Sequence, residues 1–150
     1  MAHISTPQVY FFLHKVSFPL KQRRKLKSFL NQLFRSEGKT LEYLNCILCS
    51  DSELRSINKK YLGHDSYTDV VSFDLSSRPN QVEGEVYISV KRVKENAASL
   101  KVPPAEELCR VLFHGALHLC GYKDKSPSDK KVMREKEEQS ESRAKGGDCC

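Results

Sequence analysis

The sequence has no apolar stretch that approaches the roughly 20 residues that a membrane-spanning helix needs. Its longest apolar run near the N-terminus, from Val9 to Leu13, is also too short for the hydrophobic segment of a secretory signal peptide. These absences argue against membrane insertion and export. We therefore expect a cytoplasmic protein that does not interact with a membrane.

The sequence also lacks an internal repeat, a low-complexity linker and a domain boundary. A chain of 150 residues is long enough for one ordinary domain and short for two. Hydrophobic residues make up 39% and charged residues 29%, which is typical of a folded chain. We expect a single domain over residues 1–150, with a disordered tail at about 140–150, where the chain is rich in charge.

Hydrophobic periodicity predicts four strands and five helices in the order βαβαββααα. The strands are expected at residues 8–16, 41–49, 70–75 and 82–88. The helices are expected at residues 19–38, 50–61, 89–100, 103–121 and from 126 onward. The turn-rich segment 76–80 should join the last two strands as an antiparallel pair. The predicted class is α+β, a small mixed sheet of about four strands packed with helices, rather than a doubly wound sheet.

Two histidines four residues apart, His114 and His118, lie on the fourth predicted helix. At this spacing their side chains share one face, with Cβ atoms roughly 5–6 Å apart, so that one ion can accept both imidazoles. Gly121 ends the helix, and Asp124 follows within reach of the same ion. Two nitrogens and one carboxylate oxygen leave a fourth position for water, as in catalytic zinc sites. We predict one Zn²⁺ per chain, bound by His114, His118 and Asp124.

Two other interpretations of the histidine pair are possible. The histidines could be hydrogen-bonded surface or core residues, with Asp124 a turn residue. The spacing also resembles that of the H-E-x-x-H zinc peptidases, but Gly115 stands where those enzymes carry their catalytic glutamate. A peptidase of that type is therefore disfavoured, and a general base has to come from elsewhere in the fold or from the metal-bound water.

The net charge of +6 has part of its excess in one short basic segment. This segment contains Lys21, Arg23, Arg24, Lys25 and Lys27. It could attract a phosphate backbone, or it could be a solvated helix face. Both interpretations stay open at the level of sequence.

The C-x-x-C at Cys46 and Cys49 is a weaker metal candidate. It lies in a predicted strand, where an odd separation sends the two side chains to opposite faces of the sheet. We therefore predict two buried hydrophobic residues rather than two chelating thiolates.

The residues from His114 to Asp124, H-G-A-L-H-L-C-G-Y-K-D, resemble the H-G-x-L-H-L-x-G-Y-D-H signature of the YbeY family of bacterial endoribonucleases. Further upstream, N-K-K-Y at residues 58–61 resembles the N-x-x-Y segment of the family. D-S-Y-T-D-V-V-S-F at residues 65–73 resembles D-x-P-T-D-V-L-S-F, and G-E-V-Y-I-S at residues 84–89 resembles G-D-I-x-I-S. These motifs occur in the order of the family and cover about half of the chain.

The resemblance implies a zinc-dependent, single-strand-specific endoribonuclease. Such an enzyme would act in maturation of the 3′ end of the small-subunit (16S) rRNA and in ribosome quality control, with the small ribosomal subunit and single-stranded RNA as partners. Asp69, Ser72 and Glu85 match family motif positions and are candidate catalytic residues. In the alternative, Glu85 points outward, and Asp69 and Ser72 only order a turn.

Two rival functions remain open. The first is a metal-dependent hydrolase of another substrate, because three ligands and a water suit several hydrolyses. The second is a non-catalytic, zinc-containing ribosome- or RNA-binding factor, whose site would be closed by a fourth ligand. His64 and Cys120 are the candidates for that ligand, and both are disfavoured.

The sequence departs from the family pattern at three positions. Asp124 replaces the third histidine, which predicts a harder and more anionic ligand set. Leu62 replaces an arginine, for which Lys59 and Lys60 are the nearest possible substitutes. Tyr67 replaces the proline of P-T-D, which predicts a less rigid turn that still contains Thr68 and Asp69.

Overall fold

The structure, a computed structural model, describes residues 8–146 and the side chains of residues 8–140. The strands are β1 (Gln8–Leu13), β2 (Thr40–Cys49), β3 (Val70–Asp74) and β4 (Gln81–Ser89). The helices are α1 (Arg23–Ser36), α2 (Asp51–Leu62), α3 (Val90–Leu100), α4 (Pro104–Leu119) and α5 (Pro127–Gly146). The predicted element order and the α+β class are confirmed. Within residues 8–146, no helix combines the length and the apolar character needed to cross a membrane.

The four strands form one mixed sheet in the order β1-β2-β4-β3. β1 is parallel to β2, and β2 is parallel to β4. β3 is antiparallel to β4, with Val70 opposite Ile88 and Asp74 opposite Gly84, so the predicted antiparallel pair is confirmed.

Two predicted boundaries near the N-terminus were wrong, for a shared physical reason. β1 ends at Leu13 instead of residue 16, because Lys15 has a φ of 55° and a strand cannot continue through that backbone region. α1 begins at Arg23 instead of Pro19, because Gln22 has a φ of 57°. Both residues adopt the left-handed conformation that breaks regular structure, and neither is the glycine that would have marked it in the sequence.

The two faces of the sheet are covered by different helices. On one face, buried residues of α1, α3 and α4 pack on alternate residues of the strands, among them Val86 and Ile88. On the other face, Leu54 of α2 packs against Cys49 and Val71. The prediction for the C-x-x-C is confirmed, because Cys46 and Cys49 are both buried and belong to these two separate clusters. Burial raises the pKa of each thiol to about 12.

Helix α4 approaches the sheet closely at Gly115. A Cβ atom at this position would lie 2.9 Å from Cγ1 of Val86 and 3.1 Å from Oγ of Ser72. The hydroxyl of Ser72 donates a hydrogen bond to the carbonyl oxygen of Gly115, at 2.9 Å. The absence of a side chain at Gly115 thus lets the helix rest on β3 and β4, and Ser72 holds it there.

The predicted tail at about 140–150 is only partly within the described residues. α5 continues to Gly146, beyond the start of the predicted tail. Residues 147–150 lie outside the described residues, as do the side chains of residues 141–146. The disordered tail therefore stays a prediction.

Candidate metal centre

His114 and His118 lie in the last turns of α4, and Asp124 lies in the loop that follows. The Nε2 atoms of the two histidines are 3.0 Å apart. The Oδ2 atom of Asp124 is 3.2 Å from Nε2 of His114 and 3.5 Å from Nε2 of His118. Each of the three residues thus offers a ligand atom, and all of these atoms lie within 4.8 Å of one another.

The other ring nitrogen of each histidine determines which nitrogen faces this centre. Nδ1 of His118 is 3.0 Å from the carbonyl oxygen of Tyr122. Nδ1 of His114 makes a close contact with the carboxylate of Glu137. A carbonyl oxygen and a carboxylate can only accept, so in each neutral ring Nδ1 carries the proton and Nε2 keeps its lone pair.

Three acceptors therefore converge on one point, namely two Nε2 lone pairs and one carboxylate oxygen of Asp124. Without a cation they would repel one another, and a divalent ion converts the repulsion into coordination. Two imidazoles and one carboxylate suit Zn²⁺ and other borderline divalent ions. In the part of the chain with described side chains, the group contains neither His64 nor Cys120. Burial raises the pKa of Cys120 to about 12, so that its thiol stays protonated at neutral pH.

The pKa of His114 reflects opposing influences. Burial by itself would lower it, but the hydrogen bond to Glu137 and the charges of Glu137, Asp69 and Asp124 outweigh burial and raise the pKa above its ordinary value. The site is therefore strongly attractive to positive charge.

Behind His114, a network of charged side chains holds Glu137 in place. Nε of Arg110 donates to Glu107 at 2.7 Å, and its guanidinium also lies 3.4 Å from Asp69 and 3.9 Å from Glu137. The hydrogen bond to Glu107, together with the neighbouring carboxylates, raises the pKa of Arg110. Glu107 and Glu137 are shielded from solvent, with side chains only 1% and 12% exposed. Arg110 thereby connects α4, α5 and the segment before β3.

A second ion pair, between Lys136 and Glu37, holds helix α5 beside the metal centre. Nζ of Lys136 lies 3.3 Å from Oε2 of Glu37, just after the end of α1. The Lys136 ammonium also lies 5.7 Å from the ring centroid of Tyr122, the residue whose carbonyl oxygen accepts from His118. α5 therefore supports both histidines, directly through Glu137 and indirectly through the loop at Tyr122.

The three candidate catalytic residues occupy different positions. Asp69 is linked to the centre through Arg110, and Ser72 through the residue after His114. Glu85 lies on the sheet face that α2 covers, where its carboxylate accepts a hydrogen bond from the hydroxyl of Tyr87 at 3.2 Å. The structure thus brings Asp69 and Ser72 to the side of α4 and leaves Glu85 on the opposite face. Their catalytic roles stay predictions.

Sequence reasoning missed Arg110 and Glu137. Arg110 had a signal, because it precedes His114 by four residues and therefore lies on the same helix face. Glu137 had none, because it belongs to a charge-rich segment 23 residues beyond His114. The suggested substitutes for the missing arginine have other neighbours: Lys59 lies 3.9 Å from Asp65, and Lys60 lies over the ring of Tyr61.

The fold and the site together define an α+β protein with a candidate divalent-metal site, formed by two histidines of one helix and a carboxylate of the next loop. A family model described as Endoribonuclease YbeY matches residues 13–145. The Endoribonuclease YbeY of Flavobacterium psychrophilum is 44% identical over 128 residues, which are 85% of this chain and 91% of the relative. That of Cytophaga hutchinsonii is 42% identical over 132 residues, which are 88% and 92% of the two chains.

A solved structure is also similar to this chain. The solution structure of a Thermotoga maritima protein superimposes with a TM-score of 0.62 at 28% sequence identity, and the match covers 93% of this chain and 91% of that one. The chain belongs to the endoribonuclease YbeY family, which confirms the resemblance that its motifs indicated.

Proposed function

We propose that this protein is a zinc-dependent endoribonuclease that cleaves single-stranded RNA. Its physiological substrate in this proposal is the small-subunit (16S) rRNA, whose 3′ end it matures in the cytoplasm in contact with the small ribosomal subunit, and it also serves ribosome quality control. The whole chain acts as one metallohydrolase domain with one Zn²⁺. Membership of the endoribonuclease YbeY family supports the reaction and the substrate class.

The observation that carries the proposal is the convergence of three acceptor atoms. Nε2 of His114 and of His118 faces the centre because Nδ1 of each ring donates its proton in a hydrogen bond, to Glu137 and to the carbonyl oxygen of Tyr122 respectively. Asp124 adds a carboxylate oxygen, and its side chain is 43% exposed, so the centre opens to solvent. When bound there, a divalent ion supplies Lewis-acid chemistry, in which it activates water and polarises a phosphate.

The remaining residues bind and position. Arg110 and Glu137 keep the imidazole of His114 oriented, and Ser72 fixes α4 on the sheet. The basic segment at residues 21–27 has exposed side chains at Lys21, Arg23, Arg24 and Lys25. These cations favour a polyanionic substrate by counterion release.

The test compares His114→Ala with a matched His64→Ala control, because His64 is an exposed histidine outside the metal group. Zinc-loaded protein is incubated with a single-stranded fragment of small-subunit rRNA and with the same fragment annealed to its complement. We expect cleavage of the single strand by the unmodified protein and by His64→Ala, loss of cleavage with a chelator, and recovery when Zn²⁺ is restored. His114→Ala should be inactive.

Three outcomes would contradict the proposal. Cleavage that persists in His114→Ala would show that the metal centre is not the active site. Hydrolysis of peptides or esters without cleavage of RNA would favour a metal-dependent hydrolase of another substrate. Zinc and RNA binding without any hydrolysis would favour a non-catalytic factor.

A further inference from the structure

Tyr67 lies in the loop between α2 and β3. Its side chain is exposed, with 48% of its surface accessible. The guanidinium carbons of Arg55 and Arg92 lie 4.7 and 5.0 Å from the centroid of its ring. Nη1 of Arg55 also donates a hydrogen bond to the Tyr67 hydroxyl at 3.1 Å. One exposed aromatic ring therefore stands between two helices that each supply an arginine.

Both arginines are held by carboxylates and cannot swing away freely. Nε of Arg55 lies 2.9 Å from Oδ1 of Asp65. Nε of Arg92 lies 3.0 Å from Oδ1 of Asp51, which is buried and also accepts from the hydroxyl of Ser89. These ion pairs orient the two guanidinium groups next to the Tyr67 ring before any ligand binds.

Two cavities meet at Tyr67. One has a volume of about 610 Å³, and its lining includes Tyr67, Lys91 and Lys94. The other has a volume of about 290 Å³, and its lining includes Tyr67, Arg55 and Lys59. Both are close to the size range of roughly 300–1,000 Å³ that is usual for ligand pockets.

The charge around these cavities is predominantly positive. Five basic side chains surround the cavities, and four of them pair with three carboxylates. Arg55 and Lys59 pair with Asp65, Lys91 pairs with Glu95, and Arg92 pairs with Asp51. The fifth, Lys94, forms no ion pair with any residue that the structure describes. Such a surface suits a phosphate group, whereas the tyrosine ring and the guanidinium planes suit the face of a nucleobase.

The position of this surface relative to the metal centre fits one continuous strand. Tyr67 precedes Asp69 by two residues, so their Cα atoms are at most about 8 Å apart. The Asp69 carboxylate pairs with Arg110, which lies one helical turn before His114. A single strand with one phosphate at the metal centre can therefore place a nearby nucleotide at Tyr67.

We propose that Tyr67, Arg55, Arg92 and Lys94 form a subsite for a nucleotide that flanks the scissile phosphate of single-stranded RNA. The base stacks against the tyrosine and arginine planes, and the phosphate binds to Lys94. This subsite rests on the proposed endoribonuclease function and extends it to substrate binding outside the metal centre. Stacking reads no base edge, so the subsite accepts any base.

The experiment measures binding and cleavage separately, with zinc-loaded protein. Binding of a fluorescent single-stranded RNA of about 12 nucleotides is followed by anisotropy on ice, and a gel confirms that the RNA stays intact. We compare Tyr67→Ala with Tyr67→Phe, which keeps the ring and loses the hydroxyl. We also compare Lys94→Gln with Lys101→Gln, which makes the same charge change just after the end of α3, about 10 Å away along the helix axis.

We expect Tyr67→Ala to weaken RNA binding about tenfold and Tyr67→Phe by about twofold or less, since the ring supplies the stacking. Lys94→Gln should weaken binding several-fold and reduce its salt dependence, whereas Lys101→Gln should do neither. In cleavage assays the Tyr67→Ala defect should appear in KM for a long strand, and a fragment too short to reach Tyr67 should be cleaved at the normal rate.

Several results would overturn the subsite. One is unchanged binding in both Tyr67→Ala and Lys94→Gln, and another is an equal loss of binding in Lys94→Gln and Lys101→Gln. If Tyr67→Ala is destabilised, the pair of lysine variants still decides the question. These failures differ from failure of the proposed function, which would appear as the absence of RNA cleavage by the unmodified protein or as cleavage that persists in His114→Ala.

Discussion

The imidazole of His114 is hydrogen-bonded through Nδ1 to the carboxylate of Glu137, which lies 23 residues further along the chain. A carboxylate behind a ligating histidine fixes the ring orientation and raises the basicity of the nitrogen that faces the ion. Glu137 is itself held by Arg110, at 3.9 Å. The candidate ligand His114 is therefore supported by a second layer of residues, to which α5 contributes Glu137.

Replacement of Glu137 by glutamine should weaken zinc binding by about 10- to 100-fold, because loss of the charge makes His114 a weaker donor. Glutamine can still accept from Nδ1, so the fold should be retained. The matched control is Glu138→Gln, the same change at the adjacent, exposed residue. Competition with a chromogenic chelator measures both affinities. Equal affinities in the two variants would show that Glu137 does not support the metal centre.

Zinc affinity should increase with pH until His114 has lost its proton, because proton and ion compete for Nε2. The pKa of His114 is raised above its ordinary value of 6.5, so the increase should extend to higher pH than for an unperturbed histidine. In Glu137→Gln the same increase should end at lower pH, since the negative charge is absent. Zinc titrations between about pH 5 and 8, with the ring of His114 followed by NMR, test this. A pKa of His114 that does not change in the variant would contradict it.

Replacement of Gly115 by alanine should destabilise the fold by about 1–3 kcal/mol, because the new methyl group would lie 2.9 Å from Cγ1 of Val86. Ordinary helix propensity predicts the opposite sign, a gain of about 1 kcal/mol. Urea unfolding measures the change in the free energy of unfolding. Ala98→Gly, at an exposed position of α3, is the reference and should cost about 1 kcal/mol. A stabilised Gly115→Ala would show that α4 does not rest on the sheet as closely as described.

Asp124 should determine which metal the site prefers. Asp124→Ala should lower zinc affinity by about tenfold or more, because it removes one of three ligands. Asp124→His, which installs the residue usual in the family signature, should keep zinc and bind Mn²⁺ less well, since imidazole is a softer ligand than carboxylate. Separate titrations with Zn²⁺ and with Mn²⁺ measure the two affinities of each variant. Zn²⁺ and Mn²⁺ affinities that are unchanged in both Asp124→Ala and Asp124→His would contradict a ligand role for Asp124.

Local patterns in the sequence predicted the elements and the candidate ligands. The apolar alternation of β4 and the spacing of α4 specified their type, because the periods of strands and helices are fixed by backbone geometry. The helices predicted from residues 50 and 89 begin after Ser50 and Ser89, and the hydroxyl of each serine accepts a hydrogen bond from a backbone N–H, as a helix cap does. His114, His118 and Asp124 could be recognised because they lie within 11 residues on one helix and its next loop.

Tertiary structure decided what surrounds those ligands. The contacts of His114 with Glu137 and of Ser72 with Gly115 join segments 23 and 43 residues apart, and no local period connects them. The packing of α2 and α4 on opposite faces of the sheet also decided that Glu85 lies on the face away from α4. The sequence by itself thus indicated which three residues could bind an ion. Only the packing of α4 and α5 decided which nitrogen each histidine presents, because that choice depends on the acceptor that reaches the other side of the ring.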